Sequence, residues 1–343
     1  MNILQWWVIG ELSVIVIGLS FLTVQIWRRA RSQPGIRLVE LPKTFTGCVA
    51  YVSRLGGLLM LIFLFVILER NILTVILETA PAPSHVPAPE EAGLEAEEVT
   101  FQSPGGPSIA GWFVPSKNGA TIILLHGYGG NRTAMLWHAE RLIEAGYGVL
   151  LYDERASGES EGGYRSYGWE DTRDVEAALQ YLSTREDAAD KVGIAGCSTG
   201  ADIAVYSMAL YPQLGAAWGD GNSSVRAQDM PPIRDWITMF LVPSNYMLDW
   251  MYTVRLGIDA PAPLVDVIDD IAPRPLMLVG GGVQRPVIGS EADLFTLRFA
   301  ELAGPNAQAW IIPEAAHCDG PRVRPEEYAQ KMVTFFDSAL GIK

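Results

Sequence analysis

The sequence predicts an α/β fold: a mostly parallel sheet of eight strands with helices on both of its faces. Beyond residue 97, short apolar runs of strand length alternate with stretches of helical periodicity, which is typical of parallel sheets covered by helices. Two of these runs end in glycine-containing turns that lead directly into helical stretches. The length of 343 residues accommodates one domain of this kind, on the order of 250 residues, together with an additional segment.

Two apolar segments at the amino-terminal end predict a membrane anchor over residues 1–78. The first lies at about 3–27 and has tryptophans near both ends, and the second lies at about 49–70. About 20 apolar residues in a helix span the ~30 Å hydrocarbon layer, so each segment is long enough to cross as a transmembrane helix. The first segment has no basic stretch before it and no convincing cleavage site after it, which argues against a removed signal peptide.

The loop between these two segments is basic and contains a single acid, Glu40. Its cations are Arg28, Arg29, Arg31, Arg37 and Lys43, and Arg54 follows near the start of the second segment. Because short basic loops stay on the cytoplasmic side, we expect a multi-pass protein of the cell membrane whose larger domain, residues 97–343, is extracytoplasmic. Residues 79–96 are rich in proline and glutamate and have no periodicity, which predicts a semi-rigid linker that lifts the domain off the bilayer.

Eight segments of the larger domain are predicted as strands because they are short, apolar and rich in β-branched residues. Helical patterns separate them after the first pair, as expected for a mostly parallel sheet. Since sheets of this kind bind ligands at the carboxyl ends of their strands, functional side chains are expected in the loops that follow strands. The predicted strands lie at 97–103, 108–114, 120–125, 148–152, 191–195, 215–219, 275–280 and 308–312.

The fifth predicted strand is followed by the turn G-C-S-T-G at residues 196–200, and a helical stretch comes next. A G-x-S-x-G turn in this setting predicts a nucleophile elbow, because only small residues fit beside a serine held in so tight a bend. Ser198 is therefore a candidate nucleophile. The amide of Thr199, at the start of the helix, is a candidate hydrogen-bond donor to the oxyanion that forms when the serine attacks a carbonyl group. The alternative interpretation is a turn without function.

The third predicted strand ends in the turn H-G-Y-G-G-N-R at residues 126–132. Its glycines allow the backbone to approach the serine closely, so the amide of Tyr128 is predicted to face the same oxyanion as the amide of Thr199. A phosphate-binding glycine loop is the alternative, but no Gly-Lys-Ser/Thr sequence follows and the spacing differs from a dinucleotide-binding motif.

Of the four histidines in the chain, His317 is the candidate general base. It lies in a short loop between the last predicted strand and the final helical stretch. His85 lies in the proline-rich linker, His126 belongs to the glycine turn, and His138 lies in a helix beside residues of solvent-exposed type. A loop histidine without function is the alternative interpretation of His317.

Four motifs follow one another in residues 97–343: G-W-F-V-P at 111–115, the turn at 126–132, D-E-R at 153–155 with G-E-S at 158–160, and the turn at 196–200. In this order they resemble the motifs of the α/β-hydrolase superfamily, and in particular those of membrane-anchored bacterial α/β hydrolases related to esterases and dienelactone-hydrolase-like enzymes. The resemblance implies an α/β-hydrolase fold and a Ser-His-acid triad. Ala156 departs from the family pattern, which has glycine at this position.

Three residues are candidates for the acid of the triad. In the family it follows the seventh strand, but this chain has a glycine-rich stretch there without an acid at the usual place. Glu291 is the first candidate and Asp293 the second, although acids that follow an N-capping residue such as Ser290 also stabilise a helix without any catalytic role. Asp220 is a third candidate because it ends the sixth strand, from which hydrolases of this fold also supply the acid.

Residues 222–262, between the sixth and seventh predicted strands, predict a helical cap over the serine. Their aromatic and methionine residues have spacings compatible with two short helices. The segment is interpreted either as an apolar lid that binds acyl groups and touches the membrane, or as ordinary helix packing against the sheet.

The net charge of −14 and the lack of a basic patch argue against nucleic acid as a partner. The three cysteines are too few for a disulfide framework, and their spacing indicates no metal site. Cys197 and Cys318 flank Ser198 and His317, so they are expected either to approach each other near the active site or to be small buried apolar residues. No cofactor and no metal are implied.

The sequence therefore predicts a membrane-anchored serine esterase that forms an acyl-enzyme and acts on a small-molecule or lipid-like acyl substrate. Its expected partner is the lipid bilayer, and its oligomeric state is left open. A peptidase or thioesterase with the same triad is one alternative. A receptor or scaffold that keeps the fold without turnover is another.

Overall fold

A computed structural model describes residues 44–230, 236–283 and 294–343 of the chain. The chain divides into two compact units, residues up to Val66 and Ile67–Lys343. Helix α1, Phe45–Thr79, begins in the first unit, and its residues from Ile67 onward belong to the second. Its part Gly56–Thr79 has a mean hydropathy of 2.3, so by length and composition it is able to cross a membrane. It corresponds to the second predicted span and extends further toward the domain, whereas the first, at 3–27, lies outside the described residues.

The second unit is built on an eight-stranded sheet, as predicted. Its spatial order is β8-β7-β6-β5-β3-β4-β2-β1, and the sheet is mixed, because β2 is antiparallel to both β1 and β4 while the other neighbours are parallel. All eight predicted strands are found within a few residues of their expected positions. They are β1 Glu97–Gln102, β2 Ser108–Val114, β3 Ala120–Leu125, β4 Gly148–Tyr152, β5 Lys191–Cys197, β6 Leu214–Asp220, β7 Leu276–Gly281 and β8 Ala307–Ile312.

Helices cover both faces of this sheet, as the nearly continuous apolar strands require. Successive strand residues alternate between the two apolar cores: Phe113 and Ile123 belong to one core, and Trp112 and Ile122 to the other. The described helices of the domain are α2 Leu136–Glu144, α3 Thr172–Ser183, α4 Thr199–Leu210, α5 Trp236–Leu256, α6 Leu294–Ala303, α7 Gly320–Val323 and α8 Pro325–Leu340. Short 3-10 turns lie at Arg132–Met135, Ala227–Asp229, Leu264–Asp266 and Ile268–Ile271.

The predicted linker at 79–96 does not stand away from the domain as a spacer. Val86 and Leu94 are buried in the apolar core that also contains Trp112. Ala82–Pro83 pairs with Ser157–Gly158 as a short parallel ladder. The apolar residues between the prolines pack against the domain, so the distance between helix α1 and the sheet is fixed by contacts and not by the stiffness of a free proline-rich chain.

The insertion after β6 forms one long helix in the part that the structure describes, not two short ones. Helix α5 runs over Trp236–Leu256 and includes Pro243. The aromatic spacing that suggested two helices is also satisfied by one continuous helix, since residues four and seven positions apart share a face.

His138 is buried in helix α2, although its sequence neighbours suggested a solvent-exposed position. Its ring packs edge-on against the rings of Trp137 and Tyr328. Burial lowers the pKa of His138 to about 4, because the charged imidazolium would lose its hydration. The imidazole is therefore neutral in the folded protein near neutral pH.

This lowered pKa predicts a loss of stability in acid. The unfolded chain binds a proton at His138 below about pH 6.5, whereas the folded protein does so only near pH 4, so the stability falls as the pH decreases through this interval. We expect the free energy of unfolding of the wild type to fall by about 3 kcal/mol relative to His138→Leu between pH 7 and pH 4. Urea unfolding of the full chain in detergent micelles measures the difference, and parallel curves for the two proteins would contradict the assignment.

Candidate active site

Ser198 lies in a sharp turn between β5 and α4, half-buried, with a φ of 57° and a ψ of −122°. A non-glycine residue rarely adopts this conformation, which stores strain and occurs at functional sites. A Cβ atom on Gly196 would lie 2.1 Å from the carbonyl oxygen of Gly200, and one on Gly200 would lie 2.5 Å from the carbonyl oxygens of Leu125 and His126. The turn therefore requires both glycines of the G-x-S-x-G sequence.

The glycine turn after β3 lies directly against this serine. A Cβ atom on Gly127 would approach the Cβ atom of Ser198 to 3.1 Å. His126 is fully buried and supports the turn, because its Nδ1 donates to the carbonyl oxygen of Gly127 at 2.8 Å and its Nε2 accepts from the amide of Glu154 at 3.0 Å. Burial lowers the pKa of His126, which keeps the ring neutral in this role.

The two residues whose amides are predicted to form an oxyanion hole are both neighbours of residues at the elbow. Thr199 follows Ser198 and is the first residue of α4, so its amide belongs to the unpaired amino-terminal turn of a helix. Tyr128 follows Gly127, whose backbone lies against Ser198. Backbone amides beside a nucleophile are able to stabilise negative charge on a carbonyl oxygen.

His317, which is distant from the serine in the sequence, lies next to it in the structure. The loop after β8 places Nε2 of His317 2.9 Å from Oγ of Ser198, although the two residues are 119 positions apart in the sequence. The ring lies against Gly221, where a Cβ atom would come within 2.8 Å of Nδ1. Gly221 has a φ of 74°, so the residue after Asp220 needs to be glycine both for its backbone and for the space that the imidazole occupies.

Cys197 and Cys318 approach each other, as one of the two expectations for them stated. Their Sγ atoms form a disulfide, with 6.0 Å between the Cα atoms and 121 residues between them in the sequence. Each cysteine is the immediate neighbour of a candidate catalytic residue. The bond therefore ties the loop that carries His317 to the turn that carries Ser198.

Removing this disulfide is expected to lower both stability and activity. Closing a loop of 121 residues restricts the unfolded chain, so Cys197→Ser/Cys318→Ser should lower the free energy of unfolding by about 2–4 kcal/mol. The rate of ester hydrolysis should also fall, because the His317 loop loses a covalent contact. Dithiothreitol should reproduce both effects in the wild type and change nothing in the double variant. A wild type that is insensitive to the reductant would contradict this role.

Asp220, the third acid candidate, lies at the carboxyl end of β6 and is 3% exposed. Its Oδ2 accepts a hydrogen bond from the hydroxyl of Tyr328 at 2.8 Å, and that hydroxyl accepts one from Nε1 of Trp218 at 2.9 Å. Its carbonyl oxygen accepts from the amide of Ser198 at 2.8 Å. Asp220 is thus fixed beside the elbow, and the next residue, Gly221, touches the imidazole of His317.

Glu291 and Asp293 lie outside the described residues, so their predicted roles stay predictions. Sequence reasoning did not identify Tyr328 and Trp218 as residues that hold Asp220. Tyr328 lies in the last helix, among apolar residues that pack into the core. Only the polar hydroxyl on an otherwise apolar face signalled that the residue would need a buried partner.

The D-E-R turn after β4 holds the glycine turn in place. Asp153 accepts from the backbone amide of Arg132 and from its guanidinium, both at 2.7 Å, in a fully buried ion pair. Ala156, where the resembling family has glycine, has a φ of 55°. Ala156 therefore adopts a left-handed backbone conformation, which glycine adopts more readily. Within the described ranges, no group of three or more His, Cys, Asp or Glu residues is arranged to hold a metal ion.

The chain is similar to several known proteins. A family model described as serine aminopeptidase, S33, matches residues 116–256, which include both glycine turns and Ser198. The uncharacterized protein YfhR of Salmonella typhimurium is 27% identical over 271 residues, which are 73% of this chain and 84% of that protein. The uncharacterized protein YqkD of Bacillus subtilis is 32% identical over 118 residues, which are 34% of this chain and 39% of that protein.

Two solved structures share the architecture. The esterase Pf2001 of Pyrococcus furiosus superposes with a TM-score of 0.61 at 22% identity, covering 76% of this chain and 100% of that chain. The α/β hydrolase GrgF of Penicillium sp. sh18 superposes with a TM-score of 0.58 at 18% identity, covering 73% and 100%. At these identities the likeness concerns the fold.

Proposed function

Because the chain belongs to the α/β-hydrolase superfamily, we propose that this hydrolase is a serine esterase that works through an acyl-enzyme. One observation carries the proposal: Nε2 of His317 lies 2.9 Å from Oγ of Ser198, at a strained turn between a strand and a helix. This distance is within the range needed for proton transfer from a nucleophile to a general base.

In the proposed reaction, His317 accepts the proton of Ser198 while Oγ attacks the ester carbonyl carbon. The amides of Tyr128 and Thr199 stabilise the oxyanion of the tetrahedral intermediate. The imidazolium then donates its proton to the departing alkoxide as the bond between carbon and the leaving oxygen breaks. Water, deprotonated by His317, attacks the acyl-enzyme in the same way and releases the acid product with regeneration of Ser198.

An acid side chain is needed to orient the imidazole and to stabilise its charged form. Glu291, Asp293 and Asp220 remain the candidates. The position of Asp220, next to the glycine that touches His317, supports it as the residue with this role. Its hydrogen bond from Tyr328 would then hold the carboxylate in a fixed direction.

A peptidase is the second candidate function, because the matching family model is described as serine aminopeptidase. The same serine, histidine and oxyanion amides would cleave an amide bond, with His317 donating its proton to the departing amine. Turnover of short p-nitrophenyl esters, compared with that of aminoacyl p-nitroanilides, separates the two activities.

Attachment to the cell membrane through helix α1, with the domain outside the cytoplasm, is also part of the proposal. The apolar part Gly56–Thr79 supports the attachment. The basic residues in the predicted loop before it support the orientation. The disulfide between Cys197 and Cys318 supports an oxidising compartment, since disulfides are rare in the cytosol.

Labelling of the full-length protein with a fluorophosphonate probe tests the function. We expect the wild type to be labelled and Ser198→Ala to be unlabelled, because the probe reacts only with an activated serine. Ser183→Ala, at an exposed serine of α3, is the matched control and should label like the wild type. An unlabelled wild type would indicate a scaffold without turnover.

Alanine variants of the three acid candidates extend the same assay. The variant that removes the triad acid should label on the order of 10³-fold more slowly, since the imidazole loses its orientation and its counter-charge. The other two should stay within about threefold of the wild type. We expect Asp220→Ala to be the slow variant, and Asp220→Asn, which keeps the contact with Tyr328, to be slow as well. A normal rate for Asp220→Asn would assign the role to Glu291 or Asp293.

A further inference from the structure

An exposed apolar stripe runs along the cap helix α5. Five of its residues fall within an arc of about 80° on a helical wheel and cover about 22 Å of the axis, and no charged side chain lies among them. Trp250 and Val254 are 63% and 64% exposed, which is unusual for side chains of this size. The stripe consists of Met239, Pro243, Tyr246, Trp250 and Val254.

Helix α5 is docked against the last turns of helix α1, within the same compact unit. Nδ2 of Asn71 donates to the carbonyl oxygen of Ser244 at 3.0 Å, and Oγ of Ser244 donates to Oδ1 of Asn71 at 3.1 Å. Further along, the hydroxyl of Tyr252 donates to the carboxylate of Glu78. Val75 packs with Met251 and Tyr252 in one apolar cluster. The two helices therefore run side by side in the same direction.

These contacts fix the depth of α5 beside the apolar segment. Asn71 lies eight residues before the end of the apolar segment at Thr79, which corresponds to about 12 Å along the helix. Asn71 is 2% exposed, and its amide is satisfied by Ser244 of α5. In lipid a buried asparagine needs such a partner on a neighbouring helix. A bilayer that surrounds the part of α1 from Ile67 to Thr79 thus also meets α5, which runs beside this part as far as Tyr252.

Helix α1 also carries exposed apolar side chains in the stretch that packs beside α5. Leu68, Ile72 and Ile76 of α1 are 41%, 45% and 51% exposed, at spacings of four residues. Together with the α5 stripe they leave a two-helix apolar surface without a protein partner among the described residues. Tyr246 and Trp250 lie toward the Thr79 end, where aromatic residues favour the headgroup level of a bilayer.

The same region reaches the candidate active site. The hydroxyl of Tyr128, whose amide is a predicted oxyanion donor, donates to the carbonyl oxygen of Leu77 at 3.0 Å. The ring of Tyr128 contacts that of Tyr167, which stacks on Tyr252 of α5. Arg165 adds hydrogen bonds from its guanidinium to the carbonyl oxygens of Leu77 and Ala80. The rim of the site is therefore built partly from the end of the apolar helix and from α5.

We propose that the α5 stripe contacts the lipid of one leaflet, with Tyr246 and Trp250 toward the headgroup level, and that the enzyme takes its substrates from this leaflet, as acyl esters that partition into lipid. The substrate class rests on the proposed esterase function, whereas the lipid contact of the stripe does not. The contacts from Tyr252 through Tyr167 to Tyr128 place α5 beside the glycine turn of the candidate site. A water-soluble ester gains nothing from the stripe. The net charge of −14 makes apolar insertion, and not attraction to anionic headgroups, the basis of the contact.

Quenching by brominated phosphatidylcholine tests the surface directly. The full-length protein is reconstituted into phosphatidylcholine vesicles, and the tryptophan fluorescence of the wild type is compared with that of Trp250→Phe. We expect Trp250→Phe to remove a quenched component, and bromines at carbons 6 and 7 to quench that component more than bromines at carbons 11 and 12. Trp310→Phe, on strand β8, is the matched control and should leave the quenched component in place.

A comparison of the hydrolysis of an ester embedded in vesicles with that of an ester dissolved in water tests the substrate class. Trp250→Gln should lower turnover of p-nitrophenyl palmitate embedded in the vesicles by about tenfold or more, because a polar side chain weakens insertion of the stripe. Turnover of p-nitrophenyl acetate in water should stay within about twofold, since this ester does not enter through lipid. Leu210→Gln, at an equally apolar residue exposed at the end of α4, should affect neither ester.

The outcomes separate the two proposals. If Trp250 contributes no quenched component, the lipid contact is overturned, whatever the activity. If light scattering in detergent shows that Trp250→Gln converts a dimer to a monomer, the stripe is a contact between two copies, and the lipid assignment is equally overturned. If both esters lose activity in parallel in Trp250→Gln, the substrate class is wrong. If the wild type hydrolyses neither ester and Ser198 is unlabelled, the esterase function fails, while the quenching result still decides the surface.

Discussion

Ser198→Ala and His317→Ala are each expected to lower kcat/KM for a short p-nitrophenyl ester by about 10⁴-fold or more, and the double variant is expected to lose no more than either single one. The two side chains share one hydrogen bond, along which the proton of Ser198 passes to His317. Removal of either side chain therefore abolishes this proton transfer. The effects of residues that act as one unit are far from additive.

Steady-state hydrolysis by the detergent-solubilised full chain measures these effects. Ser183→Ala and His85→Ala are matched controls, since both side chains are exposed and neither belongs to the site, and both should keep wild-type activity. If the two losses multiply in the double variant, Ser198 and His317 act in separate steps. A fully active His317→Ala would remove the general base from the mechanism.

The strands and the elbow are predictable because their signals are local. The glycines at 196 and 200 leave the space that the turn needs, and the run before them has the composition of a strand. Likewise, the glycine turn after β3 follows from residues that are consecutive in the chain. In both cases, backbone conformation and nearby packing depend on a stretch of about ten residues.

What the sequence does not predict depends on contacts between distant residues. The sequence neighbours of His138 indicate a polar helix face, but the ring of Tyr328 from the last helix packs against the ring of His138. Val86 and Leu94 are isolated apolar residues in a proline-rich stretch, and only the tertiary structure shows that they complete a core. The sequence offers Asp220 as one of three candidates for the triad acid. Only the structure shows that Tyr328 holds its carboxylate and that the next residue, Gly221, lies against His317. Periodicity contains no information about partners that are more than a hundred residues away.

Helix α1 and the cap helix α5 illustrate the same limit. Composition alone identifies the apolar helix, and aromatic content alone suggests a cap after β6. The hydrogen bonds between Asn71 and Ser244, which are 173 residues apart, join these two features into one surface. The interpretation of the cap as a lid or as ordinary packing therefore depends on which face of α5 is covered by α1 and which face stays exposed.

Gly196→Ala is expected to disable the enzyme almost as completely as loss of the serine itself. The added Cβ atom would lie 2.1 Å from the carbonyl oxygen and 2.2 Å from the carbonyl carbon of Gly200, and both atoms belong to the backbone. Backbone atoms at the start of α4 cannot move aside without opening the turn that exposes Ser198. We expect labelling by the fluorophosphonate probe to fall by about 10³-fold or more and the free energy of unfolding to fall by about 3 kcal/mol.

Gly163→Ala is the matched control for this prediction, since a Cβ atom at Gly163 has no neighbour within 4 Å. Its labelling rate should match that of the wild type. Its free energy of unfolding should stay within about 0.5 kcal/mol of the wild-type value. Because Gly196→Ala keeps the serine and the histidine, a large loss in this variant alone separates the geometry of the elbow from the identity of its side chains. Wild-type labelling of Gly196→Ala would mean that the reactive hydroxyl does not depend on the strained turn, and the elbow interpretation would then be wrong.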